Sequence, residues 1–392
     1  MPGIGSRRKR HRVGRGSSAF GQGSLRSLRD GIAARAMGLG FGAVGVTSVD
    51  PLPEWDHEVR RRVREGVVPQ DQRHRHLCNL RADPREIMPE AASVVVLARP
   101  YVPFASPFPR GVAGYSAYYR AYPEGRVAAQ ELAAELKRIG IRAVAQPRLP
   151  NKALAVRAGL GSYGRNSLIH CPKFGSFVSI HAILTDAPLE PDAPAEICDC
   201  GKCDACVRAC PTGAIRPGGA VDLARCVRAY MNSGRTVPVE LREAYGTSIL
   251  GCDACQRCCP RNAGAMKRTS VPPEKDHEVF SLAGILGDDP GERKRRLARM
   301  AVVLGRNYSR ENRILADAAI AAGNTTDPGL LEPLGRALQH PHEPVRAHAA
   351  WAIGRIGGRA GVRLLEKAHA TETSELVVDE IEDALEKARM NA

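Results

Sequence analysis

Ten of the twelve cysteines in this 392-residue chain crowd between Cys198 and Cys259, and their spacing is the first chemical statement the sequence makes. The opening run is Cys200-Gly-Lys-Cys203-Asp-Ala-Cys206-Val-Arg-Ala-Cys210-Pro211, a C-x-x-C-x-x-C-x-x-x-C-P pattern. Three closely spaced thiolates of that kind wrap one face of an iron–sulfur cubane, and the fourth, before proline, reaches across to a second cubane. The closing run, Cys252-Asp-Ala-Cys255-Gln-Arg-Cys258-Cys259-Pro260, repeats the pattern without its leading cysteine. Cys226, alone between the runs, can supply it.

On this spacing two [4Fe–4S] clusters are complete. Cluster one takes Cys200, Cys203, Cys206 and Cys259; cluster two takes Cys210, Cys226, Cys252 and Cys255. Crossed ligation of this sort implies a compact ferredoxin-like module in which electrons hop one at a time between neighbouring cubanes. Structural zinc also favours paired C-x-x-C, but it needs four ligands per site and has no use for a Cys-Pro ending. Disulfides suit small secreted chains, and here the basic N-terminus is followed by no apolar stretch of a secretory signal. Cys198 and Cys258 are left over; the three-residue spacing before proline favours Cys259 over Cys258 as ligand. Cys78 and Cys171 read as ordinary thiols.

The elements that must hold this module are visible on either side. Residues 1–23 contain Arg7, Arg8, Lys9, Arg10, Arg12 and Arg15 and no acid, and read as a disordered basic tail. The chain carries a net charge of +15, so about +9 remains on the rest. A basic folded part suits a polyanion such as RNA, and an ordinary solvated basic surface accounts for it equally well. From residue 24 a helix is expected through Ile32 and Ala33 to Met37. Strands are expected at Phe41–Val46, Ser93–Ala98, Ile141–Ala145 and Phe177–Leu184, and a helix from Arg126 to Ile139, with Val127, Leu132, Leu136 and Ile139 at helical spacing. Strands alternating with helices predict an α/β domain over residues 24–190. The cluster module then occupies 191–275, ending in the Pro-rich hinge around Val271-Pro-Pro-Glu-Lys275.

Residues 276–392 are helical and repetitive. Ile314-Leu-Ala-Asp-Ala-Ala319 is echoed by Val345-Arg-Ala-His-Ala-Ala350, and Leu330, Leu331 and Leu334 by Leu364, Leu365 and Ala368. A period just above thirty residues, with two amphipathic helices per unit, predicts a short HEAT-like array docked on the rest of the chain, since each unit must bury a face on a neighbour. No apolar run approaches the ~20 residues of a membrane span. A cytoplasmic monomer is the expectation.

From about residue 30 to its end the chain resembles the epoxyqueuosine reductase family. The resemblance rests on Gly40-Phe-Gly-Ala-Val-Gly-Val46, on Met88 to Tyr101 with its Arg-Pro-Tyr ending, and on Lys152-Ala-Leu-Ala155. It continues in Ala158-Gly-Leu-Gly-Ser-Tyr-Gly-Arg-Asn-Ser-Leu168, Gly175-Ser-Phe177, the whole cysteine module with its isolated Cys226, and the C-terminal repeats. It implies an enzyme that reduces the epoxide of epoxyqueuosine in a tRNA anticodon loop to queuosine, with two clusters feeding electrons to cobalamin. A ferredoxin or flavodoxin is the implied donor. The cobalamin would lie between the α/β domain and the clusters, near Gly159, Gly161, Gly164, Asn166 and Ser176. Arg293, Lys294, Arg295, Arg296 and Arg299 are candidates for the tRNA backbone, or for a solvated helix face.

Three stretches depart from the family: its Trp-Ile-Gly-Lys-Asn is Ser162-Tyr-Gly-Arg-Asn166 here, its Arg-Asp-Tyr-His region is Tyr118-Tyr-Arg-Ala-Tyr122, and a third lacks an acid. The family's catalytic Asp, the general acid for the opening epoxide, belongs a few residues before Lys152, and no acid lies between Ile141 and Ala158. Tyr163 beside Arg165 is a candidate replacement, the cation lowering the phenol pKa; a packed core tyrosine is the plainer reading. The missing acid keeps two alternatives open: a cobalamin-dependent reductase of another substrate, related as reductive dehalogenases are, and a non-catalytic two-cluster electron-transfer protein.

Overall fold

The structure, a computed structural model, describes residues 25–68, 77, 79–196 and 199–390; the basic tail 1–23, Cys78 and Cys198 lie outside the described residues. The expected four strands form one sheet. They are β1 (Ala43–Thr47), β2 (Ser93–Pro100), β4 (Ala143–Ala145) and β7 (Val178–Thr185), in the order β1-β2-β7-β4. Every pair is antiparallel, with β2 and β7 matched from Ser93↔Thr185 to Pro100↔Val178. The helices of this α/β layer cover both faces of the sheet, which is why β2 is apolar at successive positions. Val95 and Leu97 face Ile32, Ala129, Leu132 and Leu136 of the helices Leu25–Gly38 and Tyr118–Arg138. Val94, Val96 and Ala98 face Leu154 and Ala155 of the helix Asn151–Arg157.

The helix expected from Arg126 begins eight residues earlier, at Tyr118, and carries Pro123 inside its second turn. That early turn brings Tyr118, Tyr119 and Tyr122 to the boundary with the cluster module. Two further short pairs stitch that boundary. Strands β5 (Ser162–Tyr163) and β6 (Ile169–His170) form a hairpin above the clusters. Strand β3 (Gly114–Tyr115) runs parallel to β8 (Ser248–Leu250), which leads directly into the second cysteine run. Asn262, fully buried, closes the joint: it accepts from the Ser176 amide at 2.7 Å and donates to Ser176 Oγ at 2.9 Å.

The C-terminal helices stack in pairs, Glu311–Thr325 on Glu343–Ile356 and that helix on Glu375–Met390. Small residues allow the close approach: a Cβ at Gly354 would stand 2.8 Å from the Ala384 Cα. Arg242, 1% exposed, ties this array to the cluster module. Its guanidinium forks onto both Glu380 oxygens at 2.5 and 2.8 Å, donates from Nε to the Val237 carbonyl at 2.8 Å, and lies over the Trp351 ring. Removing one partner of a buried ion pair strands the other. Glu380→Ala is therefore expected to lower unfolding free energy by about 3–5 kcal/mol, read from urea melts, while the paired apolar exchange of Arg242 and Glu380 costs far less.

Candidate cluster module and its cleft

The ten described cysteines are all unbridged, and the thiols of the module fall into two groups. Burial pushes the Cys206 thiol up, and the nearby charges of Cys258, Cys200 and Cys259 push it further. Cys259 is raised by burial, eased by the Arg261 N–H, and raised again by Cys200 and Cys203. The second group lies deeper. Burial pushes Cys252 up to about 11, with Cys226 and Cys210 adding to it, and raises Cys255 strongly, with Cys252 and Cys226 adding to that. Cys226 stands at the N-cap of the short helix Val227–Tyr230, where the amides of Ala229 and Arg228 favour its thiolate against burial. Residues far apart in the chain, Cys259 with the first run and Cys210 with the second, are thus neighbours.

The donor set fits the chemistry. Eight unbridged thiols in two sets of four suit two cubanes, each of which offers every thiolate its own iron. Backbone N–H groups aimed at sulfur, as from Ala214 to Cys210 Sγ at 3.2 Å and from Arg165 to Cys200 Sγ at 3.4 Å, stabilise the charged form and tune potential. Cys258 has its own partner, donating to the Cys255 carbonyl at 3.7 Å.

Beside the deeper group Lys152 reaches solvent although protein surrounds it, so the surface is recessed there into a cleft. Side chains of the α/β layer, the module and the C-terminal part meet near it. Lys152 is exposed on its wall and donates to the Ser167 carbonyl at 2.9 Å. Although it reaches solvent it is ringed by protein, so burial pulls its pKa down; Cys255 and Cys226 pull it back up and Arg228 down. Arg228 lies 5.2 Å over the Tyr119 ring, and its charge eases the buried Asp253 carboxyl, which burial pushes up. The Tyr119 hydroxyl is buried with no hydrogen-bond partner among the described residues. Tyr308, from the C-terminal part, packs edge-on against Tyr119 with ring centroids 4.9 Å apart. Tyr101 meets Tyr118, which stacks on Tyr122, which stacks on His181. The sequence gives these aromatic residues no chemical signature, because Pro123 disguises the helix that presents them; Arg228 and Lys152 carry no signal beyond their charge.

In the stretch before Lys152 that holds no acid, Gln146 follows the end of β4 with φ +55°. Its Nε2 donates to His181 Nδ1 at 3.0 Å, which leaves the Nε2–H of the ring for Ser179 Oγ, also 3.0 Å away. Burial, with Arg99 nearby, pushes His181 down to about 4, so this unit is neutral near pH 7 and has no acidic proton to give.

The Arg165 guanidinium donates to the Gly201 carbonyl at 2.9 Å. Burial pushes Tyr163 up to about 12, and the cation that eases it is Arg62. The glycines of the 159–176 stretch are closely packed on the side a Cβ would take. A Cβ at Gly159 would lie 2.7 Å from the Ala193 carbonyl oxygen, and one at Gly164 2.5 Å from the His170 ring, while Gly161 abuts the His170 carbonyl. Asn166 donates to the Cys255 carbonyl at 3.2 Å, and Ser176 is fully engaged with Gln256 and Asn262. Asn166 and Ser176 thus fasten the α/β layer to the module.

Comparison with known proteins decides the family. A 4Fe-4S double cluster binding domain matches residues 199–262, and HEAT repeats match residues 306–386. The epoxyqueuosine reductase of Bacillus subtilis (strain 168) is 30% identical over 322 residues, covering 78% of this chain and 82% of that protein. The chain belongs to the epoxyqueuosine reductase family. It is accordingly an oxidoreductase of that type with a double [4Fe–4S] domain. An epoxyqueuosine reductase solved with an epoxyqueuosine-modified tRNA-Tyr stem loop matches with TM-score 0.77 and 28% identity, over 93% of this chain and 100% of that one. A Bacillus subtilis epoxyqueuosine reductase, solved with its catalytic aspartate loop swung out of the active site, matches with TM-score 0.76 and 28% identity over the same shares. No helix among the described residues is long and apolar enough to cross a membrane.

Proposed function

We propose that the chain reduces epoxyqueuosine to queuosine in a tRNA anticodon loop in the cytoplasm, with cobalamin in the cleft and the two clusters as its electron supply. The observation that carries this reading is the cleft itself. Its cations, Lys152 and Arg228, and the unpartnered Tyr119 hydroxyl lie against the deeper thiol group and suit a ligand rich in amide and phosphate groups. Bound there, cobalamin supplies a strongly reducing cobalt nucleophile. The chain's own contribution is to hold that ligand, exclude bulk water with the Tyr101–Tyr118–Tyr122 wall, and deliver a proton.

Opening an epoxide to an alkene consumes two electrons and two protons and releases water, so the leaving oxygen needs an acid. Lys152 is the better candidate of the two exposed groups: burial weakens its hold on the proton, whereas burial strengthens that of Tyr163. Tyr163→Phe is expected to leave turnover nearly unchanged. For the RNA, Lys294, Arg295 and Arg299 stand exposed on the helix Pro290–Leu304, Arg299 sharing its charge with Glu278, while Arg293 and Arg296 are committed to Glu311 and Asp288. The absence of an acid between Ile141 and Ala158 favours one second reading, the same chemistry on another epoxide-like or halogenated substrate.

Anaerobic protein with reconstituted clusters, incubated with cobalamin and desalted, is expected to retain about one cobalt with a base-off Co(II) EPR signal. No retained cobalt beside about eight irons would leave only a two-cluster electron carrier.

A further inference from the structure

We infer that the surface over Cys203 is the port for incoming electrons, where an acidic one-electron carrier protein docks against Lys202, Arg165, Arg208 and Arg261. The inference rests on the two-cluster reading above and adds the place and chemistry of its partner. Among the described cluster cysteines only Cys203 is exposed; Cys226, Cys252 and Cys255 are less so and border the cleft. The first thiol group therefore meets solvent and the second meets the proposed reaction site.

A cubane on four thiolates is anionic and by itself repels an acidic carrier. The rim answers this charge. Lys202, next to Cys203, is exposed and has no ion pair among the described residues. Arg165 reaches the Gly201 carbonyl at 2.9 Å and Arg261 the Asp199 carbonyl at 2.5 Å. Arg208 pairs with Asp204 on the same turn and lies near the Cys258 thiol. Four cations thus lie in or bond to the 199–208 segment that carries the exposed thiol, which itself holds the two acids Asp199 and Asp204. Each encounter moves one electron: the carrier is oxidised by one, the first cluster is reduced by one, and two encounters supply the pair that an epoxide opening needs.

The test uses the full chain with both clusters and an oxidised acidic [2Fe–2S] ferredoxin as probe, titrated by calorimetry. Binding is expected to weaken steeply with salt, and Lys202→Glu to weaken it roughly tenfold at low ionic strength, with the difference gone by about 0.5 M salt. Lys202→Arg should restore it. The rate of cluster reduction by the reduced ferredoxin should fall in parallel, while reduction by a small photoreduced flavin stays as in wild type. Wild-type binding indifferent to salt overturns the port, even if the variant loses its clusters. So does Lys202→Glu binding as wild type with all irons present, and so does displacement of the ferredoxin by a tRNA stem loop, which would assign the rim to RNA. None of these readouts needs cobalamin or epoxide, so the port and the reductase reading fail separately.

Discussion

Replacing Cys226 with alanine is expected to strip about half of the eight irons and to abolish turnover, whereas Cys258→Ala keeps them all. The two residues look alike in a count of cysteines and differ in what surrounds them. Cys226 sits at a helix N-terminus whose amides favour a thiolate, buried against Cys210 and Cys252. No other thiol of the second group can take its place, because the second run lacks a leading cysteine. Cys258 spends its proton on the Cys255 carbonyl. Iron content and the EPR of the reduced protein separate the two outcomes: a Cys226→Ala protein with full iron and both cluster signals would contradict the crossed ligation.

Lys152→Met is expected to lower turnover per bound cobalt by roughly 100- to 10,000-fold with iron content intact, the usual loss when a positioned proton donor is removed. The pH dependence has a definite sign. Lys152 must be protonated to act, so turnover is full below its pKa and falls as pH rises through it. Because burial is the largest influence and acts downward, that falling limb belongs below the ordinary lysine range. Lys152→Arg should retain cofactor binding and push the limb to higher pH. A Lys152→Met enzyme with wild-type kcat and an unmoved pH profile would return the proton to another group.

Much of this arrangement is legible in the amino-acid sequence, and the reasons are specific. Cysteine spacing is legible because ligation is local: the loops between Cys200 and Cys206 are too short to do anything but wrap one object. The longer strands are legible because Val94 to Ala98 is apolar at successive positions, as a sheet covered on two sides demands. In its partner strand Val178, Ile180, Ala182, Ile183 and Leu184 are apolar around the buried Ser179 and His181. The helical repeat shows itself through the alanines that let Glu311–Thr325 and Glu343–Ile356 approach closely. Strand pairing direction is not legible, since alternation of helices and strands fits either sense.

The cleft is the least visible part. Its walls come from five separate stretches, Tyr101, Tyr118 to Tyr122, Lys152, Arg228 and Tyr308, and only the folded chain brings them together. Pro123 disguises the first turns of a helix that tolerates it, and so hides three tyrosines. The glycines of the 159–164 stretch have a packing reason to be glycine: each lies against main chain or a ring that leaves no room for a Cβ. Resemblance draws attention to these residues, and packing explains them.

The most direct measurement supplies the reconstituted, cobalamin-loaded chain with reduced ferredoxin and an epoxyqueuosine-modified anticodon stem loop, and follows the nucleoside by mass spectrometry. The account predicts loss of one oxygen atom, giving queuosine only when both cobalamin and reductant are present. An unchanged epoxide, with full iron, bound cobalt and reduced clusters, would contradict it.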